Sequence, residues 1–351
     1  MCSEQAGFRP GVVRGWPGFW IEQPPLRLGV VPEVGGRILS LQLDGEELLF
    51  ARDERAGQHV DIDSVPDLAA RKREIGWCLW GGNKVWPAPQ SAWVAQMPPL
   101  EMESGRFAAT VAGAGIEMTS RICQETGLSV MRRIEVLSAE ELRVTSTFTN
   151  RSKKVQNWGI WDVTQWLQPA EVLWPCSTDC VRAYANEGQS ARLISSRLHP
   201  LGFGWAQISA LPGEELKFGA LIDRGLTVAV LPRAGHTIVL TSRFEVVSGG
   251  DYAHDAMVEV YNSGTMPYLE VEFHAPLKPL EPGESVSFAQ QWTVRSIDGA
   301  PETGELLDAI VGHMELASDR ELHAGSILQT GRAARELPVK RNEGLATRAA
   351  R

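Results

Sequence analysis

The sequence predicts an all-β protein, a large antiparallel β domain followed by a C-terminal helix. Runs of strand length alternate apolar and polar residues through most of the chain. Gly, Pro, Asn and Asp separate these runs at close spacing, and helical periodicity is confined to two short stretches. Leu26–Val31 leads through Pro32 and Gly35-Gly36 into Arg37–Leu43. Asp44-Gly45 is a hairpin signal before Leu48–Phe50, read as the next strand. Leu142, Val144, Ser146 and Phe148 alternate with Arg143, Thr145 and Thr147, the period of a half-buried strand. Val258–Tyr261 and Tyr268–His274 repeat that pattern, and Ser285–Val294 follows a Pro282-Gly283 turn. Helical spacing places Leu306, Leu307, Ile310, Val311 and Met314 on one face of a helix over Gly304–Ala317, with a second short helix near Asp63–Arg73. The expected division is a β domain over 1–300, a helical segment over 301–325 and a disordered tail over 326–351.

Composition narrows the function classes. The chain has 351 residues and a net charge of −9, which argues against a nucleic-acid groove, since that needs a basic stripe. No run of about 18 apolar residues is present, so no membrane-spanning helix is expected. Met1–Gln5 has neither the basic nor the apolar region of a secretory leader. Five cysteines, an odd count, suggest free thiols and hence a cytoplasmic location. Cys176 and Cys180 lack two clear companion ligands, so no metal and no cofactor are expected. From Gly331 onward, six basic residues face two acidic ones, a distribution read as a solvated end. Tryptophan is the anomaly, with 12 Trp against 4 Tyr and 10 Phe.

Seven of those indoles fall in two segments. Trp77–Gln90 with Trp93 holds four of them around Gly81-Gly82 and two prolines, which reads as a rigid loop. Indole faces suit the C–H face of a sugar ring, Gly-Gly admits close backbone approach to a ligand, and Asn83 and Lys84 add donors. Asn157–Trp166 sets Trp158, Trp161 and Trp166 around Asp162; a carboxylate desolvated there suits a general acid. In that strand Asp162, Thr164 and Trp166 share one face, and Trp161, Val163 and Gln165 the other. Tyr268–His274 puts Glu270, Glu272 and His274 on one face, either a solvated face or an acid/base array lining a cleft. Glu259 lies on the polar face of its strand, and His254 sits in the Gly249–Asp255 loop as an acid/base candidate. No phosphate loop, nucleophile elbow or zinc-protease motif is present.

Taken together, these segments resemble the galactose mutarotase-like superfamily of aldose 1-epimerases and relatives. Val31–Leu41 with Asp44-Gly45 resembles its opening strands, and Leu269-Glu270 through Leu280-Glu281-Pro282-Gly283-Glu284 its catalytic strand and following turn. Gly81–Pro89, Trp161–Gln165, Lys217–Gly219 and Val258–Tyr261 are similar to an uncharacterised bacterial branch, the DUF4380 family. The resemblance covers about residues 16–296. It implies a β-supersandwich and isomerase chemistry at the anomeric carbon of a sugar. A Glu takes the proton of the anomeric hydroxyl while an acid protonates the ring oxygen. By position the base is Glu270, with Glu272 as alternate. The His that serves as acid in aldose 1-epimerases has no counterpart near Trp158–Gln165, so Asp162, Lys84 and His254 are the candidates, in that order. Arg37, Asn83, Lys84, Trp86, Trp161, Lys217, Glu259, Glu272 and His254 are the expected substrate contacts. The expected partner is a small sugar or sugar derivative, with no nucleic acid and no membrane; the oligomeric state is left open. A non-catalytic carbohydrate-binding protein is the alternative. A third reading makes the indoles core and the basic tail a docking element.

Overall fold

The computed structural model describes residues 7–63, 67–185, 187–302, 304–308 and 310. Residues 1–300 form one compact unit and 301–351 another. In the second unit residues 304–308 and 310 are helical, which overlaps the start of the expected helix; the remainder of that helix and the 326–351 tail lie outside the described residues. No helix among the described residues is long and apolar enough to cross a membrane.

The first unit is built from a 12-stranded and a 10-stranded sheet whose paired strands run antiparallel. In the larger sheet Arg37–Leu43, Asn83–Ala88, Gln156–Leu167, Tyr268–His274, Val258–Asn262 and Leu216–Ala220 lie side by side in that order. The smaller sheet contributes Leu128–Val136, Glu141–Asn150 and Ser285–Asp298. Rings from the two sheets meet between them: Trp166 packs on Trp292 at 5.7 Å and Phe273 on Phe244 at 5.2 Å. The apolar half of each alternating strand therefore fills one inter-sheet core.

Most expected strands stand where the alternation puts them, with two corrections. After the Asp44-Gly45 turn the paired strand is Glu46–Glu47; Leu48–Phe50 forms only an isolated bridge from Leu49 to Trp166. The second correction concerns Trp77–Gln90, read as a loop. Within it Asn83–Ala88 is a strand buried at every residue. It pairs fully with Gln156–Leu167 but touches Arg37–Leu43 only at Ile38–Asn83, so Pro87 sits where no ladder donor is required.

The fold itself requires the Gly-Gly pair. Gly81 and Gly82 have φ of 98° and 72°, and an added Cβ would lie 2.4 Å from the Phe50 carbonyl oxygen and 2.1 Å from that of Ile38. The close approach is to the chain's own backbone, and Gly82 N–H donates to Phe50 O at 2.8 Å. Gly82→Ala is expected to lower stability by about 2–3 kcal/mol. Gly235→Ala, at φ 83° with open space around it, should cost only about 1 kcal/mol; paired thermal melts check the contrast.

Candidate active site

Register decides which side chains share a wall. Trp161 pairs with His274, Val163 with Glu272 and Gln165 with Glu270. On one side Trp161 pairs with Trp86 and Val163 with Lys84; on the other Glu272 pairs with Glu259, Glu270 with Tyr261 and Tyr261 with Lys217. Because directly paired residues point the same way, all of these belong to the face turned away from the inter-sheet core. This face, with Tyr268 included and Val163, Glu259 and His274 excepted, lines a cavity of about 430 Å³, which Arg52, Trp77, Trp80, Gln90 and Glu103 close from neighbouring segments.

Glu270 is one of the carboxylates lining this cavity. Its carboxylate accepts from Lys84 Nζ at 3.0 Å and Gln165 Nε2 at 2.8 Å, both at Oε1. Oε2 is left available, and the side chain is 12% exposed. Lys84 also lies over the Trp86 ring at 4.6 Å. Trp86 is fixed in turn, its Nε1 donating to Glu103 at 2.9 Å.

Glu272 and Glu259 are buried deeper and share one ammonium. Lys217 Nζ lies 3.2 Å from Glu272 and 3.1 Å from Glu259. Trp161 Nε1 donates to Glu272 at 2.8 Å. Burial, with the charges of Glu259 and Glu270, pushes Glu272 up to about 8 against the pull of Lys217. Burial would raise Glu259 as well, but hydrogen bonds from His254 and His274 and the charge of Lys217 hold it below the ordinary carboxylate range. Burial alone would lower Lys217, yet the two carboxylates keep it above the usual lysine range. Burial lowers His274, with its bond to Glu259 acting the other way.

The remaining expected site residues have other places. Asp162 and Asn83 point into the inter-sheet core, because each neighbours on its strand a residue that faces the cavity. Asn83 Nδ2 donates to Asp162 at 2.7 Å, and Arg132 from the smaller sheet reaches Asp162 at 3.6 Å and bonds Asn83. Burial does raise the Asp162 carboxyl, in the direction expected of a desolvated acid, but away from the cavity. Arg37 borders the cavity yet is 0% exposed. Its guanidinium donates to the carbonyls of Val34, Gly81 and Glu103 and to the Glu103 carboxylate at 2.5 Å, so it braces the Glu103–Trp86 contact. His254 lies beside Lys217 and Glu259 in an adjoining pocket of about 490 Å³.

Of the seven clustered indoles, Trp77, Trp80, Trp86 and Trp161 line the cavity. Trp93 stands behind them, stacked on Trp161 at 5.6 Å. Trp158 and Trp166 are on the Asp162 parity and do not line it. Tyr268, absent from the expected contacts, shares the parity of Glu270 and was open to that reasoning. Glu103 and Arg52 carry no such signal.

No family model matches the chain, and no curated protein matches it. Solved structures do. A candidate aldose 1-epimerase from Klebsiella pneumoniae is similar with a TM-score of 0.52 at 11% identity, over 83% of this chain and 84% of that one. A candidate mutarotase (YeaD) from Salmonella typhimurium gives 0.51 at 13% identity over 85% and 96%. The Slr1438 protein from Synechocystis gives 0.50 at 13% identity over 84% and 98%. The fold is galactose mutarotase-like. At these identities the likeness concerns the fold; the strand pattern predicted a large antiparallel β domain, and the galactose mutarotase-like architecture is what the motif resemblance implied.

Proposed function

We propose that the chain is a carbohydrate-binding, mutarotase- or epimerase-like isomerase acting at the anomeric carbon of a sugar, and a member of the DUF4380 branch. The observation that carries this reading is Glu270: a largely buried carboxylate with one oxygen held by Lys84 and Gln165 and the other available, in a cavity walled by indoles. Glu270 takes the proton of the anomeric hydroxyl. Lys84, in contact with Glu270, protonates the ring oxygen, which is bonded to the same carbon as that hydroxyl. The C1–ring oxygen bond breaks, the aldehyde forms and C1–C2 rotates. On closure Lys84 recovers its proton from the new hydroxyl and Glu270 returns its own to the carbonyl oxygen, so both groups reset. Trp86 and Trp161 offer faces and edges to the C–H groups of the ring.

Exchange NMR of anomeric interconversion tests the reading. Acceleration over buffer, absent in Glu270→Gln, supports it; no acceleration for any aldose overturns catalysis. The second reading, a binding protein without chemistry, is favoured by the Lys84–Glu270 ion pair at 3.0 Å, which engages with each other the two groups the chemistry needs. Sugar titration of tryptophan fluorescence is expected to give a saturable change under both readings, and its absence would remove both.

A further inference from the structure

His254, Glu259 and His274 bring their donor atoms to within 4.8 Å of one another. His274 Nε2 lies 2.8 Å from Glu259 Oε2, and His254 Nδ1 lies 3.1 Å from the same oxygen. We propose that these three residues bind one divalent first-row transition-metal ion, with its open coordination positions toward the adjoining pocket.

The two separations to Glu259, 2.8 and 3.1 Å, fit, and so does the donor type. An ion about 2.1 Å from nitrogen and oxygen ligands set at right angles needs ligand separations of about 3.0 Å. Two imidazoles and one carboxylate form the three-ligand set that leaves positions open on such ions, whereas calcium and magnesium prefer all-oxygen ligands. Glu259 is fully buried, and its Oε1 has no hydrogen-bond partner among the described residues; an unbonded buried carboxylate oxygen is costly, and an ion would engage it. The Trp161 ring holds both imidazoles, His274 stacked at 5.3 Å and His254 edge-on at 5.1 Å.

The backbone adds an independent sign. His254 and Asp255 are consecutive non-glycine residues with φ of 58° and 50°. Such conformations persist where the surroundings impose them, often at binding sites. Here Tyr184 Oη donates to the His254 carbonyl at 2.9 Å, and the absence of a side chain at Gly219 makes room for the Tyr184 ring. Lys217, 3.1 Å from Glu259 Oε2, is the competing cation. When the ion takes Glu259, the ammonium keeps its partner Glu272 at 3.2 Å.

The test is a titration of the chelator-treated full chain with Co²⁺, read by its visible absorption, and with Zn²⁺, read by calorimetry. One equivalent is expected. Loss of a ligand in His254→Ala or Glu259→Gln should weaken the affinity by at least the roughly 10–100-fold that loss of an outer-sphere partner costs, with His199→Ala unchanged. Failure of the native chain to bind either ion overturns the proposal, as does affinity unchanged in His254→Ala, which would place the ion at other histidines. His254 lies in a partly exposed loop, so that variant decides the matter even if Glu259→Gln does not fold. Because the readout is metal binding, its outcome is independent of any sugar activity.

Discussion

Replacing Asp162 by Asn is expected to cost about 3–5 kcal/mol of stability at neutral pH. The change is nearly isosteric, and the amide can still meet Asn83, so the loss is electrostatic. It strands the Arg132 guanidinium, which is 0% exposed and bridges the two sheets. Burial lowers Arg132 to about 10, so at neutral pH it stays charged and cannot escape by losing its proton. The reciprocal change, Arg132→Met, should cost less, because an unpaired Asp162 can take up a proton. Burial already raises this carboxyl in the folded state above its ordinary 3.8, with Arg132 opposing; without Arg132 it rises further. A folded pKa above the unfolded one means that the folded state binds the extra proton. Stability from that source is fully present below about 3.8 and lost as pH climbs through the folded pKa. The deficit of Arg132→Met relative to the unaltered protein should therefore grow from acidic to neutral pH. Denaturant midpoints of both single variants across that range check the order and the sign. Equal costs with no pH trend would mean that the pair contributes through packing alone.

The same residue shows what was legible in the sequence. Strands such as Glu141–Asn150 and Tyr268–His274 were readable because one face is polar and the other apolar. The wall bearing Glu270, Glu272 and His274 was readable by parity, although not that it lines a cavity. Parity also held the answer for Asp162 and Asn83. Neighbours in a strand point to opposite faces, so Trp161 with Asp162, or Asn83 with Lys84, cannot both reach one cleft. Choosing between the members of each pair needed the register, which pairs Lys84 with Val163 and Gln165 with Glu270. Asn83–Ala88 itself escaped because it is buried on both faces and shows no alternation. Glu103 reaches Trp86 from a helical turn at Leu100–Glu103, a contact between segments that no local pattern announces.

Glu270→Gln is expected to reduce anomeric exchange by roughly 10²–10⁴-fold, the range for loss of an acid/base group, while leaving sugar affinity within a few-fold. The geometry lets the hydrogen bonds survive this substitution. Lys84 and Gln165 both donate to Oε1, and the amide oxygen of Gln can accept both. What changes is the charge opposite the buried Lys84 ammonium and the available oxygen, which becomes an N–H donor. A fall in kcat with KM nearly constant would locate the loss in the chemical step. Lys84→Met separates the roles further. If Lys84 protonates the ring oxygen, exchange falls at every pH. If it is only a counter-ion, Glu270 still accepts the proton and part of the exchange remains. A binding protein would show neither effect: Glu270→Gln would titrate with sugar close to the native chain, Lys84→Met would bind more weakly for want of a cavity contact, and exchange would match buffer in all three.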